Sequence, residues 1–190
     1  MKSAQAAVML LVISLSFAVD SARAQDAPPI PQPTAEHKIL AADAGKWDAE
    51  IKSYSSGPDA EPKISKGTEV NTVVAGGLWT ISEFHGTVEG LDFEGRGQYG
   101  FDPIKKKYVG TWIDSWNPTL SVIEGTYDAA SKTLTMTGEG MEVNSKTKYQ
   151  QKMVTKTNAD GSRTFTFFMK GEFTGGNEVK MMEITYRKAK

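Results

Sequence analysis

Residues 93–116 contain the pattern that most restricts the fold of this chain. Two segments of alternating residues flank residues 102–107, where Pro103 fixes the φ angle of a turn and the charged side chains favour water. The stretch therefore predicts a β-hairpin. Its cross-strand partners would be Phe101 with Tyr108, Tyr99 with Gly110, Gly97 with Trp112 and Gly95 with Asp114. Because glycines opposite large rings leave them room and let a sheet bend sharply, we expect a curved antiparallel sheet with an aromatic inner face.

Short alternating segments continue along the rest of the chain, with turn signals between them. At the first of these segments, Trp47, Ala49 and Ile51 alternate with charged residues, which is typical of a strand with one face in water. The ten predicted strands lie near residues 45–54, 63–74, 78–88, 93–102, 107–116, 120–128, 132–138, 146–157, 162–170 and 177–188. The predicted fold class is an all-β antiparallel meander. Closing it into a barrel would leave no exposed sheet edge.

The N-terminal residues have the pattern of an export signal. A lysine precedes an apolar run over residues 6–19, and Ala22-Arg23-Ala24 has the small-residue pattern of a cleavage site. Cleavage there would place the protein in the periplasm or outside the cell. Thr34 can then cap a short helix before the first strand. The predicted organisation is a signal peptide at 1–24, a proline-rich linker at 25–33 and a single β-barrel domain at 34–190.

The composition argues against several classes of function. The chain has no cysteine, which excludes disulfides, thiol catalysis and cysteine-bound zinc. Its net charge is −1 with both signs interspersed, so there is no charge excess that would favour nucleic acid or an anionic membrane. The apolar run at the N-terminus is shorter than a membrane-spanning helix requires, and no membrane span is predicted. No metal-site or phosphate-loop motif is visible, and no cofactor is predicted.

The composition of the inner face predicts a cavity. In the strand near residues 146–157, four lysines share one face, whereas Tyr149, Gln151 and Met153 lie on the other with threonines. A solid core would favour branched aliphatic side chains, so this mixture of rings and polar groups indicates a lined interior. Asp114 could orient a polar group of a ligand, or could instead bond to the backbone at the barrel end. The candidate ligand-binding residues are Phe84, Tyr99, Phe101, Tyr108, Trp112, Asp114, Tyr149 and Phe167. Core packing is the alternative role for their rings.

Gly45-Lys46-Trp47 follows the short helix and opens the first strand. It resembles the G-x-W motif of the calycin barrels, which include lipocalins and fatty-acid-binding proteins. The resemblance implies a calycin-like barrel of about ten strands with the N-terminal helix at one end. In calycins a basic residue near the C-terminus packs over that tryptophan, which implies a cation–π contact of Arg187 with Trp47 that closes the barrel.

Several motifs spread over residues 33–188 carry a second resemblance. They are Glu36-His37-Lys38-Ile39-Leu40, Gly45-Lys46-Trp47, Gly76-Gly77-Leu78-Trp79, Gly97-Gln98-Tyr99-Gly100-Phe101-Asp102, Tyr108-Val109-Gly110-Thr111-Trp112-Ile113-Asp114-Ser115, Gly125-Thr126-Tyr127-Asp128 and Tyr186-Arg187-Lys188. Together they are similar to domain of unknown function 1579, a mostly bacterial exported family. This resemblance implies no particular activity.

The sequence favours binding of a small, largely apolar molecule inside the barrel, without catalysis. One alternative is an enzyme of low motif content that uses Asp114 or His85 as an acid or base. Another is a structural or partner-binding module whose barrel is filled. The favoured strand register puts His85 on the outside with Glu83, and the opposite parity would turn it inward. A haem would need its axial ligand from the first half of the chain or from Tyr or Met, because no histidine follows His85.

Overall fold

The structure, a computed structural model, describes residues 30–57 and 60–190. The predicted signal peptide and most of the predicted linker lie outside the described residues. Nearly all of one compact unit, Met1–Pro31, is therefore not described, and the other unit is Gln32–Lys190. Its elements are α1 Ala35–Ala41, β1 Gly45–Ser53, β2 Lys63–Val74, β3 Trp79–Val88, β4 Leu91–Asp102, β5 Lys107–Asp114, β6 Ser121–Asp128, β7 Thr133–Met141, β8 Lys148–Thr157, β9 Arg163–Lys170 and β10 Val179–Lys188. Short 3-10 turns occur at Ala75–Gly77 and Glu172–Thr174.

The ten strands form a closed antiparallel barrel. Each strand pairs with the next along the chain, and β1 also pairs with β10 from Trp47 opposite Lys188 to Ser53 opposite Met182. The all-β meander, the number of strands and the closure are confirmed, and the architecture is consistent with a calycin-like fold. Because the ring is closed, every strand has a partner on both sides and no edge is left for association with another chain.

The β4–β5 hairpin has the predicted register. Tyr99 pairs with Gly110, and Gly97 pairs with Trp112. The rings lie directly over the glycines: a Cβ atom built on Gly95 would be 2.1 Å from Cζ2 of Trp112. Only the absence of a side chain at these positions lets the rings lie flat against the inner wall.

The buried side chains form two clusters inside the barrel. One contains Trp47, Ala49, Ile51, Phe84, Val88, Ile184 and Tyr186. The other contains Tyr108, Ile123 and Met136, with Ile39 and Leu40 of α1 packed against it. A helix of seven residues is too short to be stable alone, so its position depends on this apolar packing.

His37 fixes the start of the helix. Its Nδ1 accepts a hydrogen bond from the backbone N–H of Thr34 at 3.1 Å, and its ring packs edge-on against Phe101 at 5.9 Å. The hydroxyl of Tyr108 donates to the carbonyl of Glu36 at 3.4 Å. These contacts hold α1 across one end of the barrel. His37 therefore has a structural role at this end of the barrel.

Candidate functional site

A cavity of about 480 Å³ occupies the barrel interior. This volume is in the range typical of small-molecule sites. Its lining is mainly apolar and includes Ile51, Phe93, Phe165 and Met182. Six of the candidate ligand-binding residues line it, namely Phe84, Tyr99, Trp112, Asp114, Tyr149 and Phe167.

Phe101 and Tyr108 are not part of the cavity lining. Both rings face inward, but they lie under α1, where their centroids are 5.3 Å apart. Their ligand-binding role is therefore not supported by their location. The sequence predicted the correct face of the strand and a helix at one end of the barrel, but not that these two rings lie at the end that the helix covers.

We call the end of the barrel opposite α1 the mouth. Trp116 and Ser55 line the cavity there and are exposed. The Trp116 indole donates to the carbonyl of Asp92 at 3.1 Å, and its ring packs edge-on against Phe93 at 5.2 Å. Other exposed apolar side chains around the mouth are Leu91, Leu120, Val143 and Phe173. The mouth is thus the route by which a molecule would reach the interior.

Asp114 lies on the inner face near the mouth, as predicted. Its Oδ2 accepts a hydrogen bond from the indole of Trp112 at 3.0 Å. Its Oδ1 accepts from the backbone N–H groups of Trp116 and Asn117, at 2.9 and 2.8 Å. Burial, with the Asp114 charge as a smaller contribution, raises the pKa of the neighbouring Tyr149 hydroxyl. The carboxylate of Asp114 therefore orders the turn after β5 and positions one cavity-lining ring.

The opposite end of the cavity carries a buried charged cluster, which we call the polar floor: Asp43, Glu69, Asn71 and Arg163. The guanidinium of Arg163 donates from Nη1 to Asp43 at 2.8 Å and from Nη2 to Glu69. The side-chain amide of Asn71 donates to the same Glu69 oxygen at 2.7 Å. Arg163, Glu69 and Asn71 are each more than nine-tenths buried.

The charges of the polar floor change the pKa values of nearby groups. Burial alone would lower the pKa of Arg163, but Glu69 and Asp43 raise it above its ordinary value. Burial, reinforced by the Glu69 charge, raises the pKa of the Tyr99 and Tyr186 hydroxyls. Both hydroxyls therefore keep their protons to a higher pH than exposed tyrosines do.

The structure corrects the predicted contact of Arg187 with Trp47. Trp47 instead packs against Arg163, with the guanidinium carbon 4.9 Å from the ring centroid, and against the ammonium of Lys188 at 4.3 Å. Arg163 also lies 4.3 Å from the centroid of the Tyr186 ring. Arg187 is the cross-strand partner of Asp48, which faces the opposite side of the sheet from Trp47. The Arg187 side chain is exposed. Alternation along β10 therefore points Arg187 away from the interior.

The polar floor was not predicted, although the alternation along β2 and β9 contains a signal for it. Arg163 has the same parity along β9 as the inward-facing Phe165 and Phe167. Glu69 and Asn71 likewise have the inward parity of β2. A charged residue at an inward position of a barrel strand needs a buried partner of opposite charge. For Arg163 one such partner is Glu69, which lies 94 positions away in the sequence. Local sequence patterns do not reveal so distant a contact.

His85 lies on the outer face of the barrel, which agrees with the strand register that the sequence favours. Its Nδ1 is 3.6 Å from Glu94, and Arg96 lies at the same distance from Glu83. Its side chain is 62% exposed. His85 and Asp114 therefore lie on opposite faces of the sheet and cannot act on one substrate. Within residues 30–57 and 60–190, no three acidic or histidine side chains are grouped so that they could hold a metal ion.

A match to a known protein family shows to which family the chain belongs. The model for DUF1579, a protein family of unknown function, matches residues 32–188. The chain belongs to the DUF1579 family. The match covers α1 and all ten strands, so both ends of the cavity are part of the DUF1579 domain. No curated protein matches this DUF1579 chain. Among the residues that the structure describes, no helix is long and apolar enough to cross a membrane.

Proposed function

We propose that this DUF1579 protein is exported and binds a small, largely apolar molecule in the barrel interior, without catalysis. The observation that carries the proposal is the cavity of about 480 Å³, walled by aromatic and aliphatic side chains and reached through the mouth. Transfer of an apolar molecule from water to such a site is favourable in proportion to the surface that it buries. Rings fixed over glycines supply that surface without loss of side-chain freedom on binding.

The positions of the titratable residues support binding rather than chemistry. His85 is outside the barrel. Asp114 already accepts three hydrogen bonds from its own hairpin and the following turn, which give it a structural role and leave one acceptor site on its carboxylate. In the proposal, Asp114 and the hydroxyls of Tyr99 and Tyr149 orient polar atoms of the bound molecule.

The first experiment measures occupancy of the interior. Fluorescence titration with N-phenyl-1-naphthylamine, a neutral apolar probe, should show saturable binding at one site. Met153→Trp, which fills the cavity from β8, should weaken binding at least tenfold. Lys156→Trp introduces the same side chain at an exposed position of β8 and should leave binding unchanged. Circular dichroism of both variants confirms that they are folded. Equal probe binding in the two variants would refute an interior site, and no binding to the wild type would favour a filled structural barrel.

Two further measurements address export and the natural ligand. The proposed cleavage after Ala24 predicts that protein recovered from a periplasmic or secreted fraction begins at Gln25, which N-terminal sequencing checks. Retention of residues 1–24 on protein confined to the cytoplasm would refute export. Native mass spectrometry of protein from its own host should show a bound small molecule that is absent from the Met153→Trp variant.

A further inference from the structure

Asp114 is a carboxylate of the cavity wall without a cation of its own. In the described part of the chain, the charged residues that line the cavity are Asp43, Glu69, Glu89, Asp114 and Arg163. Arg163 pairs with Asp43 and Glu69, and Lys63 pairs with Glu89. The hydrogen bonds of Asp114 come instead from one indole and two backbone N–H groups, all of them neutral. Among the residues that the structure describes, no cationic side chain forms an ion pair with Asp114.

Two aromatic rings near Asp114 turn their faces to the cavity. A Cβ atom built on Gly95 would be 2.1 Å from the Trp112 ring, and one built on Gly140 would be 2.2 Å from Cζ of Tyr149. Each ring therefore lies flat against the inner wall, with a glycine behind one of its faces. Because both residues line the cavity, the other face of each ring is open to the interior. The face of an aromatic ring has a negative potential, which attracts cations.

The carboxylate and the rings border the same part of the cavity, next to the mouth. The indole N–H of Trp112 donates to Oδ2 of Asp114 at 3.0 Å, and the charge of Asp114 contributes to the raised pKa of Tyr149. Trp116, whose backbone N–H donates to Oδ1 of Asp114 at 2.9 Å, adds a third ring that is 49% exposed. A cation at this position would gain from the carboxylate and from the rings, and would keep part of its water because the mouth is open.

The rest of the lining restricts the kind of cation. An inorganic divalent ion needs several oxygen ligands, whereas no three acidic or histidine side chains in the described residues are grouped to hold one. Beyond Asp114 the wall is mainly apolar and includes Phe93 and Met182. Such a wall binds the apolar part of an organic molecule whose charged group stays at the mouth. An anionic group would instead be repelled by the unpaired carboxylate.

We infer that the cavity takes an organic cation with an apolar body, such as a hydrophobic amine, whose ammonium group binds Asp114 beside the faces of Trp112 and Tyr149. This inference rests on the proposed function, because it names the class of molecule that the same cavity takes. The ammonium N–H donates to the acceptor site that remains on the carboxylate of Asp114. The apolar body extends from the mouth into the interior, where the walls remove it from water.

Three naphthalenes of similar shape separate the charge from the apolar body: 2-(aminomethyl)naphthalene, 2-(hydroxymethyl)naphthalene and 2-naphthoate. At pH 7 the amine is a cation, the alcohol is neutral and the naphthoate is an anion. Competition with N-phenyl-1-naphthylamine should give the amine about fivefold or more tighter binding than the alcohol, and about tenfold or more tighter binding than the naphthoate. Binding of either the alcohol or the naphthoate as tight as that of the amine would overturn the inference.

Two variants test the role of Asp114. Asp114→Asn removes the charge but keeps an oxygen that can accept from the turn, so it should weaken amine binding about fivefold or more and change alcohol binding less than about twofold. Glu94→Gln removes a charge from the outer face of β4, where that side chain is 73% exposed, and should leave both affinities unchanged. Circular dichroism checks that both variants are folded. Equal losses of amine affinity in the two variants would mean that the cation responds only to net charge, which would overturn the inference.

A measurement on the wild-type chain keeps the inference testable if the Asp114→Asn variant does not fold. In NMR spectra of the complex with the amine, nuclear Overhauser effects should connect the methylene protons beside the ammonium group with ring protons of Trp112 and Tyr149. Contacts of these methylene protons with Tyr186 at the polar floor, and not with Trp112 or Tyr149, would place the cation at the other end of the cavity and would overturn the inference.

The two proposals fail differently. If the neutral probe binds but the amine is not favoured over the alcohol, the inference is wrong and the proposed function stands. If the probe does not bind, and calorimetry detects no binding of any of the three naphthalenes, both are wrong.

Discussion

Replacing Gly95 with alanine should destabilise the barrel although the substitution adds only a methyl group. The new Cβ would lie 2.1 Å from Cζ2 and 2.6 Å from Cη2 of the Trp112 ring. The ring would have to retreat by more than about 1 Å to reach an ordinary carbon–carbon contact. It cannot do so freely, because it packs against the main core cluster and its indole N–H donates to Asp114 at 3.0 Å.

The size of the effect follows from these contacts. Overpacking of a fixed core costs about 1–3 kcal/mol, and loss of a hydrogen bond to a carboxylate costs about 1.5–3 kcal/mol. The alanine reduces the freedom of the unfolded chain, which offsets about 0.4–1 kcal/mol. We therefore expect a loss of about 2–4 kcal/mol in the free energy of unfolding. For a domain of this size the melting temperature should fall by about 5–15 °C.

A double-mutant cycle with Trp112→Leu tests the reasoning. Leucine has no atoms where the six-membered ring lies, so Gly95→Ala in that background should cost less than about 0.5 kcal/mol. Urea unfolding followed by far-ultraviolet circular dichroism gives the four free energies. A similar loss in both backgrounds would show that the glycine matters for a reason other than the ring above it.

Three further predictions follow from the charged and phenolic groups. Arg163→Ala should reduce the free energy of unfolding by about 3–5 kcal/mol in urea titrations, because it leaves the buried carboxylate of Glu69 and the partly buried carboxylate of Asp43 without their partner. Arg187→Ala on the exposed face should cost less than about 0.5 kcal/mol, and similar losses in the two variants would contradict the buried position of Arg163. Burial raises the pKa of the Tyr99 and Tyr186 hydroxyls above the ordinary 10.0, so the unfolded chain ionises first and stability should fall as the pH rises above that value. Absorbance at alkaline pH should then show phenolate formation coupled to unfolding, and Tyr99→Phe should reduce that coupling. Ionisation of all tyrosines without unfolding would refute the predicted loss of stability. Hydrogen bonds from its lysine and serine partners lower the pKa of Glu89 from 4.5 to about 2, so the stabilisation is present above pH 4.5 and is lost as the pH falls towards 2. Because Lys63, its main partner, is exposed, the stabilisation should be below about 1 kcal/mol, and acid titration of Glu89→Gln should lack that part of the loss.

The β4–β5 hairpin shows how much of this fold is local. Its register follows from a turn fixed by Pro103 and from the twofold alternation of strand side chains, so the partners of Gly97 and Tyr99 could be predicted without a structure. The same alternation predicted the strands of the whole meander and the outer position of His85. Turn chemistry and side-chain parity act over a few residues, which is why a sequence pattern records them.

The tertiary structure decided which inward residues meet. Parity placed Phe101 and Tyr108 inside, but only the packing of α1 turned their end of the barrel into a closed core rather than a cavity. The cations that pack against Trp47 are Arg163 and its strand partner Lys188, and not Arg187. Arg163 reaches the ring because closure of the barrel brings β9 and β2 together across the interior. The sequence thus determined the strands and their faces, since these depend on local stereochemistry. The polar floor and the cavity depend on contacts between residues far apart in the chain, and these exist only once the barrel has closed.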